Sequence, residues 1–396
     1  MRIMLANFAK MHNDSGGLAK VTVAFANEMV RRGHDVSLLY CDEHAGEFFY
    51  PLSKKVCAYN ICYQNDAYVK MPLWMKIKRE VLRPLSAVRS RDVNDDFMRK
   101  YLLDEVGRIL EIEKPDIIVS SQPAASRIML CDIDTNVPVI TMSHGDPEDY
   151  FHIYPKGEIP AVEKSAVCQV LLSSFVEHIK SRFPKQKVVV IGNVVPQYEK
   201  RANLQVNKKR YKIVFIGRMV KNHKRPHLLI KAFAKLAKKY PQWDLELWGA
   251  ESNKAYTNSL HRLIEKNGLQ ERTKLMGITK DVASVLEKGD IFVLPSAYEG
   301  FGLSLAEAMS MGLPVIGYKK CSAVNELIVD GENGYLCEEG VEPLAAAMEK
   351  LINDKGMRVA MGNNARVSVK KYAADNIWND WEQLMTETIN DTRKYL

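Results

Sequence analysis

Short apolar runs alternate along the chain with longer segments in which apolar residues recur every three or four positions. Arg2-Ile3-Met4-Leu5-Ala6 reads as a strand, and a polar loop over 10–15 leads to Gly16-Gly17. Val21, Ala24, Phe25 and Met29 then carry helical spacing over 18–32, with Gly33 placed to cap it. The run Val36-Ser37-Leu38-Leu39-Tyr40 is the next strand, and Asp116-Ile117-Ile118-Val119 and Val137-Pro138-Val139-Ile140 continue the series. A second series starts at Lys212-Ile213-Val214-Phe215-Ile216, followed by a helix over 228–240 and a strand at Leu245-Glu246-Leu247-Trp248. Further strands are expected at Lys274-Leu275-Met276, Ile291-Phe292-Val293-Leu294 and Pro314-Val315-Ile316. Strands alternating with helices predict an α/β protein with two doubly wound parallel sheets. The expected domains are 1–196 and 212–376, joined by a polar linker over 197–211 rich in Lys, Arg and Asn.

Ligands in such sheets bind beyond the carboxyl ends of the strands. Four candidate features fall there. Gly16-Gly17 opens a helix after the first strand, where the backbone approaches a ligand closely; the same residues also suit a plain turn. His144-Gly145-Asp146 follows a strand, although a lone histidine is more often structural. Gly217-Arg218 is followed by Lys224, two cations suited to a diphosphate, with a solvated basic loop as the plainer reading. The segment Glu299-Gly300-Phe301-Gly302-Leu303-Ser304-Leu305-Ala306-Glu307 sets two carboxylates around a glycine turn at a helix start. A helix N-terminus suits phosphate or sugar hydroxyls. Ser304 and Glu307 also have the spacing of a capping box, in which Glu307 only closes the helix.

The net charge of +8 leaves nucleic acid, an anionic membrane and phosphorylated substrates open as partners. No zinc-finger or RNA-recognition pattern accompanies it, so nucleic acid is not expected. Seven scattered cysteines form no Cys-x-x-Cys pair, which argues for reduced thiols in the cytoplasm and against zinc. Asp132-Ile133-Asp134 precedes a strand without a glycine turn, so no metal site is expected. No apolar stretch is long enough to span a bilayer, and the N-terminus lacks the apolar core of a signal peptide. Residues 68–91 hold Lys70, Lys76, Lys78, Arg79, Arg83, Arg89 and Arg91 against Glu80, interleaved with apolar residues. That segment fits peripheral contact with an anionic membrane; the plainer alternative is a surface helix with its apolar face toward the core.

Taken in order, these motifs resemble the retaining, GT-B-fold glycosyltransferases of family GT4. The resemblance runs from the Gly16-Gly17 loop through His144-Gly145, the Ile191-Gly192-Asn193-Val194 turn, Gly217-Arg218 with Lys224, Gly249 and Gly277-Ile278. It ends in the Glu-x7-Glu signature of Glu299 and Glu307, with Gly249-Ala250-Glu251 departing from the family's Gly-x-Gly. It implies a GT-B fold whose two Rossmann-like domains face a cleft, and a helix over 377–396 (carrying Trp378 and Trp381) that packs back on the first domain. It also implies that Glu299 binds the donor sugar, that Phe301, Gly302 and Leu303 present backbone N–H groups, and that Glu307 binds the ribose. Arg218 and Lys224 would hold the diphosphate, Ile278 would lie near the base, and His144 would face the sugar. The implied reaction moves a sugar from a nucleotide-sugar donor, expected to be a UDP-sugar, to a glycan or lipid-linked acceptor in surface polysaccharide or lipopolysaccharide synthesis. No further cofactor is implied. The alternatives are a GT-B-fold sugar-nucleotide epimerase and a non-catalytic sugar-nucleotide-binding assembly protein at the membrane. On this reading Arg218→Ala or Lys224→Ala loses turnover with the fold intact.

Overall fold

The computed structural model describes residues 1–14, 16–251 and 253–394. Ser15, at the end of the loop expected over 10–15, Ser252, and Tyr395 and Leu396, at the end of the helix expected over 377–396, fall outside them. The chain forms two compact units, Met1–Gly192 with Trp378–Leu396, and Asn193–Ile377.

The first unit holds strands β1 (Arg2–Ala6), β2 (Asp35–Tyr40), β3 (Cys57–Asn60), a short antiparallel pair β4 (Tyr63–Gln64) and β5 (Ala67–Tyr68), then β6 (Ile117–Ser120), β7 (Val139–Met142), β8 (Val167–Val170) and β9 (Val188–Val190). Seven of them make one sheet in the order β3-β2-β1-β6-β7-β8-β9, and every pairing in it is parallel. The second unit holds β10 (Tyr211–Ile216), β11 (Trp243–Trp248), β12 (Thr273–Gly277), β13 (Ile291–Leu294), β14 (Val315–Tyr318) and β15 (Gly334–Cys337). These lie in the order β12-β11-β10-β13-β14-β15, again all parallel.

Each sheet reverses its order beside its first strand, between β1 and β6 and between β10 and β13. The loops leaving those strands diverge to opposite faces and open a crevice at their carboxyl ends. The central strands read as unbroken apolar runs because both faces are covered; all four residues of β6, β7 and β13 are buried.

Strand edges differ from expectation where proline intervenes. The strand expected from Val137 begins at Val139, because Pro138 has no N–H for the ladder and contributes only its carbonyl, to Ile118 N at 3.0 Å. The strand β8 escapes the pattern because a buried Gln169 interrupts it; its Nε2 donates to the Ile191 carbonyl at 2.5 Å. The segment Gln197-Tyr198 and onward to Tyr211 belongs to the second unit, where Ala202 N donates to the Met311 carbonyl and Tyr198 N to Ser310 Oγ.

The last helix, Ala374–Arg393, packs its aromatic residues on the helix Gly17–Arg31. Phe25 meets Trp381 edge-on at 5.0 Å and Trp378 at 5.5 Å between ring centroids. Glu382 joins Arg32 and His34, both at 2.8 Å. With Trp381 2% exposed, its truncation leaves a void the size of an indole. Trp381→Ala is expected to lower stability by about 3–5 kcal/mol in urea unfolding; a loss below about 1 kcal/mol would show that this contact contributes only as a surface residue does.

Candidate functional site

The carboxyl ends of β10 and β13 carry two loops stitched together by side chains. Lys224 Nζ lies 2.5 Å from Glu299 Oε1, and both side chains are largely buried, at 14% and 7% exposure. The next residue, Arg225, crosses the same gap. Its Nε donates to the Pro295 carbonyl at 3.0 Å and its Nη2 to the Ser296 carbonyl at 2.9 Å, and its Nη1 pairs with Glu339. His223 stacks on Tyr298 with centroids 4.3 Å apart and planes 5° from parallel. Ala297 N closes the contact by donating to the His223 carbonyl at 2.8 Å. Arg225 holds a left-handed backbone (φ 49°) at the start of the helix Pro226–Ala237. Such a conformation costs on the order of 1–3 kcal/mol for a residue with a Cβ and persists where surrounding bonds impose it. Residues 223–225 were expected only as a basic loop with one diphosphate ligand; the structure makes them the clamp that fixes the Glu299 turn.

Three glycines form the floor of this crevice. Gly217 N donates to the Trp248 carbonyl at 2.9 Å, and Gly249 N donates to the Gly277 carbonyl at 2.8 Å. A Cβ on Gly249 would stand 2.0 Å from the Gly217 carbonyl oxygen, and its φ of +147° is one that side chains rarely adopt. The close backbone approach requires glycine there whatever follows, so Gly249-Ala250-Glu251 keeps the residue that matters sterically.

Arg218 follows Gly217; its carbonyl accepts from Val220 N at 2.8 Å, and its exposed guanidinium makes no ion pair or hydrogen bond among the described residues. Ile278 is 59% exposed beyond Gly277. Across the crevice the helix Leu303–Ser310 starts at Gly302, whose φ of 78° ends the turn. Its first residue is Leu303, and no acidic side chain occupies its first turn. The capping-box alternative therefore fails: Ser304 lies inside the helix, and Glu307 falls five positions past the N-cap. Glu307 is buried at 4% exposure, and its charge helps raise the pKa of the Tyr198 hydroxyl above the ordinary range. Phe301 turns inward, edge-on to Tyr372 at 5.0 Å, so that only its backbone serves the crevice.

The remaining expected residues lie in the first unit. Gly16 caps the helix Gly17–Arg31 without a side-chain bond, its N–H donating to Asp14 Oδ1 at 2.8 Å. A Cβ on Gly17 would meet nothing, so its role is openness. His144 follows β7, and its Nε2 is buried without a hydrogen-bond partner. Burial lowers its pKa to about 4, which leaves the ring neutral at neutral pH. Beside it Asp146 pairs with His178 Nδ1 at 2.5 Å. The Asp132-Ile133-Asp134 run is occupied by cations, with Arg99 3.2 Å from Asp132.

Residues 68–91 divide into a helix, Leu73–Leu82, and the first turns of a second, Ala87–Tyr101. In the first helix Met75 alone is buried, while Leu73, Trp74, Ile77 and Val81 are 55–73% exposed and Leu85 beyond it is 77% exposed. The helix rests on the core through Met75 and Leu82, as the plainer alternative expects, while Leu73, Trp74, Ile77 and Val81 stay in solvent. Among the described residues no helix is long and apolar enough to cross a membrane.

Two parallel sheets, each with a switch point beside its first strand, define an α/β protein of the GT-B kind. Comparison with known proteins fixes the family. Residues 15–197 match the profile described as Glycosyltransferase Family 4, and residues 196–368 match that of Glycosyl transferases group 1. The chain belongs to the GT4-type glycosyltransferases of GT-B fold. An uncharacterized glycosyltransferase of Haemophilus influenzae is 23% identical over 94% of this chain and 96% of its own length. The poly(glycerol-phosphate) alpha-glucosyltransferase of Bacillus subtilis is 30% identical over 48% of this chain, and the match spans only 28% of that longer protein. Staphylococcus aureus TarM, solved with UDP and alpha-GlcNAc-glycerol, superposes with a TM-score of 0.75 at 17% identity, covering 97% of this chain and 100% of TarM.

The Lys224–Glu299 pair corrects the expectation that Lys224→Ala spares the fold. Removing one partner strands a buried charge, which costs about 3–5 kcal/mol. Lys224→Ala is therefore expected to lower the urea midpoint sharply, Arg218→Ala to leave it unchanged, and Lys224→Met with Glu299→Gln to recover most of the loss. Equal stability of Lys224→Ala and wild type would show that the two groups do not depend on each other.

Proposed function

We propose that the chain is a retaining, metal-independent glycosyltransferase. It moves a sugar from a nucleotide-sugar, expected to be a UDP-sugar, to a hydroxyl of a glycan or lipid-linked acceptor in bacterial surface polysaccharide or cell-wall glycan synthesis. The observation that carries this reading is the pairing of Lys224 with Glu299 at the switch point of the second sheet, with an Arg218 guanidinium that no side chain among the described residues engages. The named relatives, one a poly(glycerol-phosphate) alpha-glucosyltransferase and one solved with UDP, support the donor and product classes.

In this reading Arg218, Lys224 and the N-terminus of the Leu303–Ser310 helix stabilise the charge that grows on the departing diphosphate. Glu299 accepts hydrogen bonds from sugar hydroxyls through the oxygen that Lys224 leaves free, and Glu307 accepts them from the ribose. The bond from the anomeric carbon to the phosphate oxygen breaks, and the acceptor oxygen bonds to that carbon on the same face. The acceptor proton passes to the departing phosphate oxygen. The carboxylate nucleophile of retaining glycosidases has no counterpart here, because Glu299 is held by Lys224 and assigned to the sugar. No further cofactor enters the reaction.

The exposed stripe of Leu73, Trp74, Ile77 and Val81 beside Lys70, Lys78 and Arg89 supports peripheral attachment to the inner face of the plasma membrane. Contiguous exposed apolar side chains rimmed by cations are the kind of surface that meets an anionic membrane.

Two outcomes follow. A panel of nucleotide sugars should yield one that stabilises the chain, by about 2.7 kcal/mol at a hundredfold excess over its Kd, and that donor's sugar should move to an added acceptor in EDTA. Arg218→Ala should slow the transfer roughly 100-fold. Conversion of the donor to an epimer without acceptor would replace this reading, and absence of any turnover would leave a binding protein. The chain should also float with phosphatidylglycerol vesicles at low salt, and Trp74→Ser combined with Ile77→Ser should abolish flotation; wild type staying in the pellet fraction sinks the membrane part.

A further inference from the structure

The second unit holds a cavity of about 310 Å³ that the proposed transfer does not use. Small-molecule sites occupy about 300–1,000 Å³. One wall is the segment expected as a linker. Ala202 and Leu204 are buried there while Arg201, Asn203 and Gln205 are exposed, the alternation of an extended chain. The helix Lys355–Ser368 brings Asn363 and Arg366 to the cavity one turn apart. Gly312, just past the helix Leu303–Ser310, also lines it. That helix is about 12 Å long at 1.5 Å per residue, and its other end is the Glu299 turn, so the cavity stands apart from the crevice.

The lining carries two cations and no carboxylate. Arg366 donates to the Lys200 carbonyl at 3.0 Å and to the Tyr198 carbonyl, which fixes its plane. Three of its five N–H groups are left over from these bonds. No carboxylate pairs with it among the described residues; burial and then the charge of Arg201 push its pKa down. Arg201 is exposed, and its guanidinium makes no ion pair or hydrogen bond among the described residues. Other cations of the segment are answered by acids: Lys200 by Glu287 at 3.4 Å, Lys208 by Asp290 at 2.7 Å, and Arg210 by Asp244.

A helix carboxyl end is one ordinary reason for two arginines in such a place. Here the carbonyls at that end are taken by backbone N–H groups: Ala308 by Leu313 at 3.0 Å, Met309 by Gly312 at 2.9 Å and Met311 by Ala202 at 2.9 Å. Like charges held near each other without an acid cost free energy, and an anion between them returns it. Guanidinium forks match phosphate oxygens two at a time. The amides of Asn203, Gln205 and Asn363 make no hydrogen bond among the described residues, and they both donate and accept, as hydroxyls do. The cavity of the first unit, beside His144, has the opposite charge: Asp95, Asp146, Asp149 and Glu158 line it with Arg91.

We propose that the cavity of the second unit binds the phosphate group of a small, hydroxylated phosphate ester, with Arg201 and Arg366 on the phosphate and the three amides on the hydroxyls. The site is distinct from the donor crevice and requires nothing of the transferase reading.

Isothermal titration calorimetry of the full chain tests it, at about 0.15 M salt so that diffuse surface charge is screened, with saturating UDP present to fill the donor crevice. The probes are glucose 6-phosphate, inorganic phosphate and glucose. Glucose 6-phosphate should bind, inorganic phosphate should bind more weakly, and glucose should not bind. Arg201→Gln should weaken glucose 6-phosphate roughly tenfold and leave the urea midpoint unchanged, because no bond of the fold is lost. Arg218→Ala should leave that affinity unchanged. Silence from glucose 6-phosphate, equal binding of inorganic phosphate, or an affinity unchanged in Arg201→Gln or lost in Arg218→Ala overturns the proposal. Should UDP itself not bind, the donor reading falls, and the Arg201→Gln and Arg218→Ala comparison still tells the two places apart.

Discussion

One buried ion pair organises the second unit. Lys224 and Glu299 come from loops 75 residues apart in sequence, and neither side chain has water enough to solvate it alone. Burying two charges costs several kcal/mol each unless the geometry returns it. The 2.5 Å contact, the Arg225 bonds to two carbonyls and the His223–Tyr298 stack supply that geometry together. The result is a turn, Tyr298 to Leu303, whose backbone N–H groups sit at a helix start in a fixed position. The Arg218 guanidinium is exposed and engaged by no side chain among the described residues.

The fold was legible because parallel sheets covered on both faces write themselves as apolar runs. The strand Ile291–Leu294 was placed to the residue, and Arg2–Ala6 likewise. Boundaries moved where the pattern and the backbone disagree, as at Pro138, and β8 stayed hidden because a buried glutamine inside it looks polar in sequence. The candidate site was legible in its residue types and only partly in its arrangement. Glu299 and Lys224 were both singled out, yet nothing in the sequence joins residues 75 positions apart. The capping-box alternative for Glu307 had the correct spacing and the wrong helix start, which Gly302 sets by its positive φ. Arg225 was passed over as part of a basic loop, although its position before Pro226 at a helix start was a usable signal. Asp95 and Glu158 offered no signal at all, being 63 residues apart with no shared motif.

The two units differ in electrostatic sense. The crevice of the second holds Lys224, Arg225 and Arg218 around a glycine floor, a composition that suits phosphates. The cavity of the first is walled by Asp95, Asp146, Asp149 and Glu158, with Arg91 among them.

The central claim is that the turns after β10 and β13 receive a nucleotide diphosphate. Hydrogen exchange of the full chain with and without saturating UDP tests it directly. The account predicts slowed exchange in 217–225 and in 299–305, with the amides of Phe301, Gly302 and Leu303 among those protected. Protection absent from both turns, or confined to the first unit, would contradict it.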